Sequence, residues 1–448
     1  MTRTAQIAAE LPDYDPEALR ASAVGAFLER LVAPITETEE VGLLDALGRV
    51  LAQDLISPIS VPPHDNSAMD GYAFDGAALS PGQPLRLRPV GATALAGKAG
   101  AGPVDAGECV RIMTGAVMPA GLDTVVPLEL TRTDADGCIL IAADLLRRGA
   151  NRRLAGEDLM QGRVALAKGE PFTPAAMGLA ASLGVPSVTV YRRLRVACFS
   201  TGDELLSLGE PPRAGAVYDS NRYTLLGLLT RLGVQVIDMG VVRDEPASLE
   251  AALRHAAGQA DAIITSGGVS AGDADHTRRM MKQLGDVVFW RIAMRPGRPM
   301  AVGRIHADLQ AESTSSAQPA SASSYQNEDS GGCMLFGLPG NPVAAMVSFL
   351  AFVRPALLRM MGSTRAGPPP LRATCTEALR KKPGRTEYQR GVVSRTADGR
   401  LQVRSTGHQG SGMLSSMVQA NGLIVLHHGQ GDVAAGDMVD VMMFDGVI

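Results

Sequence analysis

The stretch LRVACFSTGDEL, residues 194–205, decides how the fold is read. Its first seven residues form a short, nearly continuous apolar run. Such a run, bounded by turn residues, reads as a strand buried on both faces. Thr201, Gly202, Asp203 and Glu204 follow, placing a hydroxyl, an open backbone and two carboxylates at the strand's end. The pattern then repeats. YDSNRYTLLGLLTRLG (218–233) reads as a helix with Ser220 or Asn221 as N-cap and Gly233 as C-cap. VQVIDMGVV (234–242) is a strand, PASLEAALRHAAGQA (246–260) a helix and DAIITSGG (261–268) a strand running into glycines. DADHTRRMMKQLG (273–285) is a helix, and 287–294, 299–305 and 333–336 are further strands. A helix opens after GLPGNP (337–342). Strand and helix alternate, which predicts a three-layer α/β domain with a mostly parallel sheet over 194–367.

Three of its loops carry the polar chemistry. The first holds Ser200, Thr201, Gly202 and Glu204, and the second Ser266, Gly267, Gly268, Ser270, Asp273 and Asp275. The third is GLPGNP, with Pro339 and Pro342. Open parallel sheets bind ligands outside the carboxyl ends of their strands. Glycines let backbone N–H groups approach an anion, and a helix N-terminus adds partial positive charge. One such loop alone is best read as a plain βα turn. Three together, with carboxylates and hydroxyls, favour a site for a phosphate-bearing ligand. Neither G-x-x-x-x-G-K-[ST] nor a G-x-G-x-x-G opening a first βα unit is present, which disfavours a P-loop NTPase or an ordinary NAD enzyme. Arg291, Arg295 and Arg298 flank a Pro-Gly turn, where they form either an oxyanion clamp or a solvated basic turn.

The chain has 448 residues, 46% hydrophobic and 20% charged, with net charge −4. That length predicts several domains, and the charge offers no global basic field for nucleic acid. Its five cysteines are scattered without a CxxC pair, which argues against a zinc ribbon or a disulfide scaffold. The first twenty residues lack the apolar core of a signal peptide, and no 18-residue apolar run predicts a membrane helix. A cytoplasmic location is expected. Trp290 reads as core, and the seven histidines form no metal spacing.

Around the α/β domain the style changes. Helices are expected at 16–33 and 41–51. PPHDNSAMDGYA (62–73) is a loop with two close carboxylates, and from 76 to about 170 the chain reads as β-rich. Residues 307–332 are polar and serine-rich, expected as a disordered insertion without catalytic role. After PPP (368–370) short strands predict a small β-barrel or sandwich. The expected organisation is a discontinuous N-terminal helical/linker domain (15–60 and 161–193), a β-rich second domain (61–160), the α/β domain (194–367) and a C-terminal β-barrel (368–448).

Taken in order, DNSAMDGYA, RIMTGA, GED, STGDEL, SNRYTL, VRD, SGGVSAGDAD, RPGRP, GLPGNP, YQRG and HQGSGML resemble the molybdopterin molybdenumtransferase family of the MoeA type. Gephyrin's C-terminal domain is the animal counterpart. The resemblance spans nearly the whole chain. It implies a molybdopterin-binding α/β domain and an elongated homodimer. The implied reaction inserts molybdate into adenylylated molybdopterin with release of AMP, assisted by Mg²⁺. The cleft is implied to lie between the α/β domain of one subunit and the second domain of the other.

By motif position the resemblance implies catalytic roles for Asp70, Thr114, Asp158, Glu204, Asp244 and Asp275. Asp244 and Asp275 are the implied metal ligands. Ser200, Thr201, Gly202, Ser266, Gly267, Gly268, Arg291, Arg295, Pro339, Pro342, Arg390 and Ser411 are the implied substrate-binding residues, the last two on the molybdate side. Arg291 and Arg295 stand where related enzymes usually carry lysine, which keeps charge but changes geometry. Contact with molybdopterin adenylyltransferase is a further implied partnership; membrane and nucleic acid are not expected partners. The alternative is a non-catalytic molybdopterin-binding scaffold of the gephyrin type. The carboxylates Asp70, Asp244 and Asp275 favour the enzyme, because a scaffold need not keep them.

Overall fold

The structure is a computed structural model. It describes residues 2–98, 102–269, 275–306, 332–365, 367–444 and 446, with the side chains of 275–277 left aside. The serine-rich insertion expected at 307–332 therefore falls almost wholly outside the described residues.

The α/β unit, numbered from its first strand, runs β1 (Arg195–Thr201), α1 (Ser220–Leu232), β2 (Gln235–Val242), α2 (Pro246–Gln259) and β3 (Ala262–Ser266). It continues with α3 (Asp275–Leu284), β4 (Gly285–Arg291), β5 (Pro299–Ile305), β6 (Cys333–Leu338) and the helix α4 (Pro342–Met360). The sheet order is β2-β1-β3-β6-β5-β4. β1, β2, β3 and β6 are parallel, and β5 is antiparallel to both β6 and β4, so only β5 is reversed. Buried on both faces, β1 and β3 show the unbroken apolar runs that the sequence reading used.

This order positions the site. Ser200 is the register partner of Ser266, and Ser266 of Leu338, so three chain-distant loops emerge side by side. Each is followed in the chain by a helix start. The N-cap of α1 is Asp219, not Ser220 or Asn221: its carboxylate accepts from Arg222 N, while Ser220 and Asn221 already lie in the helix. Gly233 ends α1 with φ +82°, as expected.

Helix α4 begins at Asn341–Pro342 and contains a π-helical segment, Phe349–Val353. Pro355 explains it, because proline lacks the N–H that α-helical bonding would use one turn back. By length and composition α4 could cross a membrane, but 72% of its apolar window is buried inside the protein.

Two N-terminal helices, Arg3–Glu10 and Ala21–Leu31, pack on the α/β unit. Phe27 meets Trp290 edge to face at 4.9 Å, and Trp290 Nε1 donates to Tyr14 Oη at 2.9 Å. Trp290 is thus core. The helix expected at 41–51 does not form. Thr38–Gly42 pairs instead with Ser187–Tyr191, a turn follows, and Gly48 sits at φ +75°. Leu44 is 81% exposed, so the helical apolar face read there has nothing to pack on.

Residues 71–141 build a six-stranded sheet containing Gly71–Phe74 and Glu108–Ile112. In the C-terminal region five strands close into a barrel, Thr386–Arg395 pairing with both Leu401–Ser405 and Gly422–Leu426. A two-residue strand, Met294–Arg295, adds to the barrel beside Thr386–Glu387 and hooks it to the α/β unit. Val343 N donates to Ser411 O at 3.1 Å, which holds a barrel loop over the start of α4.

Candidate functional site

A cleft of about 1160 Å³ opens where the β1, β3 and β6 loops face the barrel. Twelve of the site residues implied by the resemblance line it: Ser200, Thr201, Gly202, Glu204, Asp244, Ser266, Gly267, Gly268, Arg295, Pro339, Pro342 and Ser411. Ser200 and Leu338, far apart in the chain, end two strands that flank the same neighbour, and so their loops meet there.

The floor is a hydrogen-bonded network. Ser200 Oγ donates to Asp219 Oδ1 at 3.0 Å, and Asp219 also accepts from Arg222 N and Nε. Arg222 then donates to both oxygens of Asp238, at 2.8 and 2.6 Å. Burial alone would lower the Arg222 pKa, but the bonds and charge of Asp238, with Asp219, hold it above the ordinary arginine value. Asn221 Nδ2 donates to Ser266 Oγ and to Gly340 O, both at 2.7 Å, and so ties α1 to the other two loops. Gly267 is required by close approach: a Cβ there would sit 2.3 Å from Thr201 O, at φ +96°.

Arg295, Arg298 and Arg385 supply cations to the wall, against Glu204 and Asp244. Arg295, Pro296 and Gln409 also line an adjoining cavity of about 230 Å³ that contains Arg380 and Arg390. Arg390 is wholly buried, and its guanidinium donates to neutral groups: Ser416 Oγ and the carbonyls of His408 and Gly410. Burial first, and the charge of Arg295 second, push its pKa down to about 10. Glu387 also lines this cavity, but its carboxylate is taken up by Arg385 and Gln389, so a buried guanidinium with neutral partners beside a second cation can receive an anion.

The other sequence candidates lie elsewhere. Arg291 is exposed at the end of β4, 3.7 Å from Glu17, and does not line the cleft. Asp275 is the first residue of α3, and its side chain is outside the described residues. Asp70, Thr114 and Asp158 belong to the β-rich region and do not line this chain's cleft. Asp70 and Thr114 are bonded to each other, and the Thr114 N–H and hydroxyl hold the Asp70 carboxyl below the usual range. Asp158 is exposed, its backbone N–H on Val61 O.

Sequence reasoning assigned no site role to Asp219, Asn221, Arg222 or Gln409, and it left Arg298, which lines the cleft, open between an oxyanion clamp and a solvated turn. The first three lay within the quoted YDSNRY run, but only the fold reveals that its helix start serves as the cleft floor. Among the described residues no group of three or more His, Cys, Asp or Glu forms a metal cage. Mg²⁺ held by one or two carboxylates plus substrate phosphates needs no such cage, and Asp244 and Glu204 fit that pattern.

The chain is similar to known proteins along its length. Residues 17–184 match the MoeA N-terminal region (domain I and II), 197–359 the probable molybdopterin binding domain and 372–444 the MoeA C-terminal region (domain IV). It is 40% identical over 427 residues to a molybdopterin molybdenumtransferase of Haemophilus influenzae, covering 94% of this chain and 97% of that protein. A Bacillus subtilis protein of the same name is 34% identical, covering 91% and 90%. A structure of the molybdopterin biosynthesis MoeA protein from Pyrococcus horikoshii has a TM-score of 0.69 at 28% identity, covering 96% of this chain and 99% of that one. Fold and cleft define a multidomain protein built around a molybdopterin-binding α/β unit. The chain belongs to the MoeA family.

Proposed function

We propose that this protein is a molybdopterin molybdenumtransferase that inserts molybdate into adenylylated molybdopterin and releases AMP. Its relatives carry the transferase name at high coverage, so an enzyme is favoured over a gephyrin-type scaffold. The observation that carries the finer reading is the pairing of two cavities. The cleft of about 1160 Å³ suits a phosphate-bearing organic substrate. The adjoining cavity of about 230 Å³, with Arg295 and the buried Arg390, suits a small oxyanion.

In this reading the β1, β3 and β6 loops hold the phosphates through backbone amides and hydroxyls. Arg295 faces both cavities and aligns oxyanion and phosphoanhydride. Asp244 would hold the metal, with Asp275 as its second ligand by motif position and Glu204 alongside. Mg²⁺, when bound, supplies Lewis-acid neutralisation of the pyrophosphate. The sulfurs that receive molybdenum belong to the substrate. The five cysteines of this chain, all buried, need take no part.

The same reading makes the protein a cytoplasmic homodimer of four-domain subunits, in which Asp70, Thr114 and Asp158 reach the partner's cleft. Contact with molybdopterin adenylyltransferase would deliver the substrate. The test is AMP release from adenylylated molybdopterin with molybdate and Mg²⁺. Release that does not depend on molybdate would refute the insertion step.

A further inference from the structure

The two serines that end neighbouring strands offer opposite hydrogen-bond polarity to the cleft. Ser200 and Ser266 are register partners, so both side chains leave the same face of the sheet. They are 1% and 2% exposed, and both line the cleft. Ser200 gives its proton to Asp219, whose carboxylate accepts only. What remains on Ser200 Oγ is lone pairs. Ser266 is the reverse case. The carbonyl of Gly340 can only accept, so the atom of Asn221 facing it must be Nδ2. The same nitrogen lies 2.7 Å from Ser266 Oγ, which therefore accepts. The Ser266 proton is left without an acceptor among the described residues. One residue on from Ser200, Thr201 Oγ1 is also buried without a partner among the described residues, with Thr201 5% exposed.

From this geometry we infer that Asn221 is a positioning residue that sets Ser266 as a hydrogen-bond donor to the substrate, while Asp219 sets Ser200 as an acceptor. Ser266 then takes an acceptor oxygen, phosphoryl or ring carbonyl, and Ser200 takes a ring or amino N–H. A bare phosphate satisfies only the first. The inference rests on the transferase reading and adds the polarity by which the cleft reads its substrate.

Asn221→Asp tests it. The change is isosteric but leaves only acceptors facing Gly340 O, so the Ser266 proton turns toward the new carboxylate. The KM for adenylylated molybdopterin should rise about tenfold or more, the loss of one substrate hydrogen bond, with kcat falling much less. Ser266→Ala should give a similar rise, and the double variant little beyond either single one. A merely structural role predicts a fall in kcat and in the unfolding temperature alongside any change in KM. Should Asn221→Asp fail to fold, Ser266→Ala carries the test alone: an unchanged KM overturns the inference. Competition separates the two oxygen sources. Weakened inhibition by AMP in the variants identifies a phosphoryl oxygen, and weakened inhibition by 6-hydroxymethylpterin a ring carbonyl. No weakening of either overturns the inference. If wild type itself releases no AMP, the transferase reading fails; if wild type turns over and the variants match it, only this inference fails.

Discussion

Thr114 holds the carboxylate of Asp70 twice, from its backbone N–H and from its hydroxyl, both at 2.7 Å to the same oxygen. Asp70 does not line this chain's own cleft. If Asp70 completes the partner's cleft, two inactive variants should rescue each other. Asp70→Asn and Asp244→Ala, each inactive alone, would on mixing and subunit exchange recover about a quarter of wild-type turnover. Half of the dimers are then mixed, and each mixed dimer holds one intact site. No recovery under proven exchange would place the whole site within one chain.

The same pair predicts a pH response. The folded pKa of Asp70 is depressed by the two Thr114 bonds, so the carboxylate's preference for the folded state is present above the unfolded value and lost as pH falls through the folded one. Thr114→Val removes one of the two donors. NMR titration should show the Asp70 pKa moving back up toward the ordinary aspartate value in this variant. An unchanged titration would contradict the assigned hydroxyl bond.

Arg390 is expected to control oxyanion affinity. Arg390→Ala should raise the molybdate concentration needed for half-maximal AMP release at least about tenfold, since a charged bond is lost. The KM for the adenylylated substrate should change far less. In wild type, binding of molybdate should weaken as pH climbs through about 10, where this depressed guanidinium loses its proton. Equal damage to both substrates would contradict a molybdate-side role.

Asp219 ties Ser200, the N-terminus of α1 and Arg222 together. Asp219→Ala leaves buried groups unpaired and removes a helix cap, at a cost of about 3 kcal/mol. Calorimetry should show the unfolding transition lowered accordingly. Gly267→Ala should also destabilise, by roughly 1–3 kcal/mol, because its Cβ would meet Thr201 O at a backbone angle that side chains avoid. A transition unchanged in either variant would contradict the packing described.

The alternation of apolar runs with helical spacing was enough to read β1, α1, β3 and α4 and to locate the three polar loops, because a strand buried on both faces and an amphipathic helix leave distinct local periods. The 41–51 segment shows where that logic stops. Its apolar spacing looks helical, yet pairing with Ser187–Tyr191, far along the chain, claims its first residues for a strand. Local periodicity carries no signal for a distant strand partner.

Ser200, Thr201, Glu204, Ser266 and Gly267 were legible one by one, as residue types suited to an anion at the ends of strands. Their assembly was not. Sheet order alone sets β1 beside β3 and β6, and barrel docking alone brings Ser411 and Gln409 to the same cleft. The opposite polarity of Ser200 and Ser266 also belongs to the tertiary structure. A serine is donor and acceptor at once until a neighbour claims its proton or its lone pair, and here Asp219 and Asn221 are those neighbours.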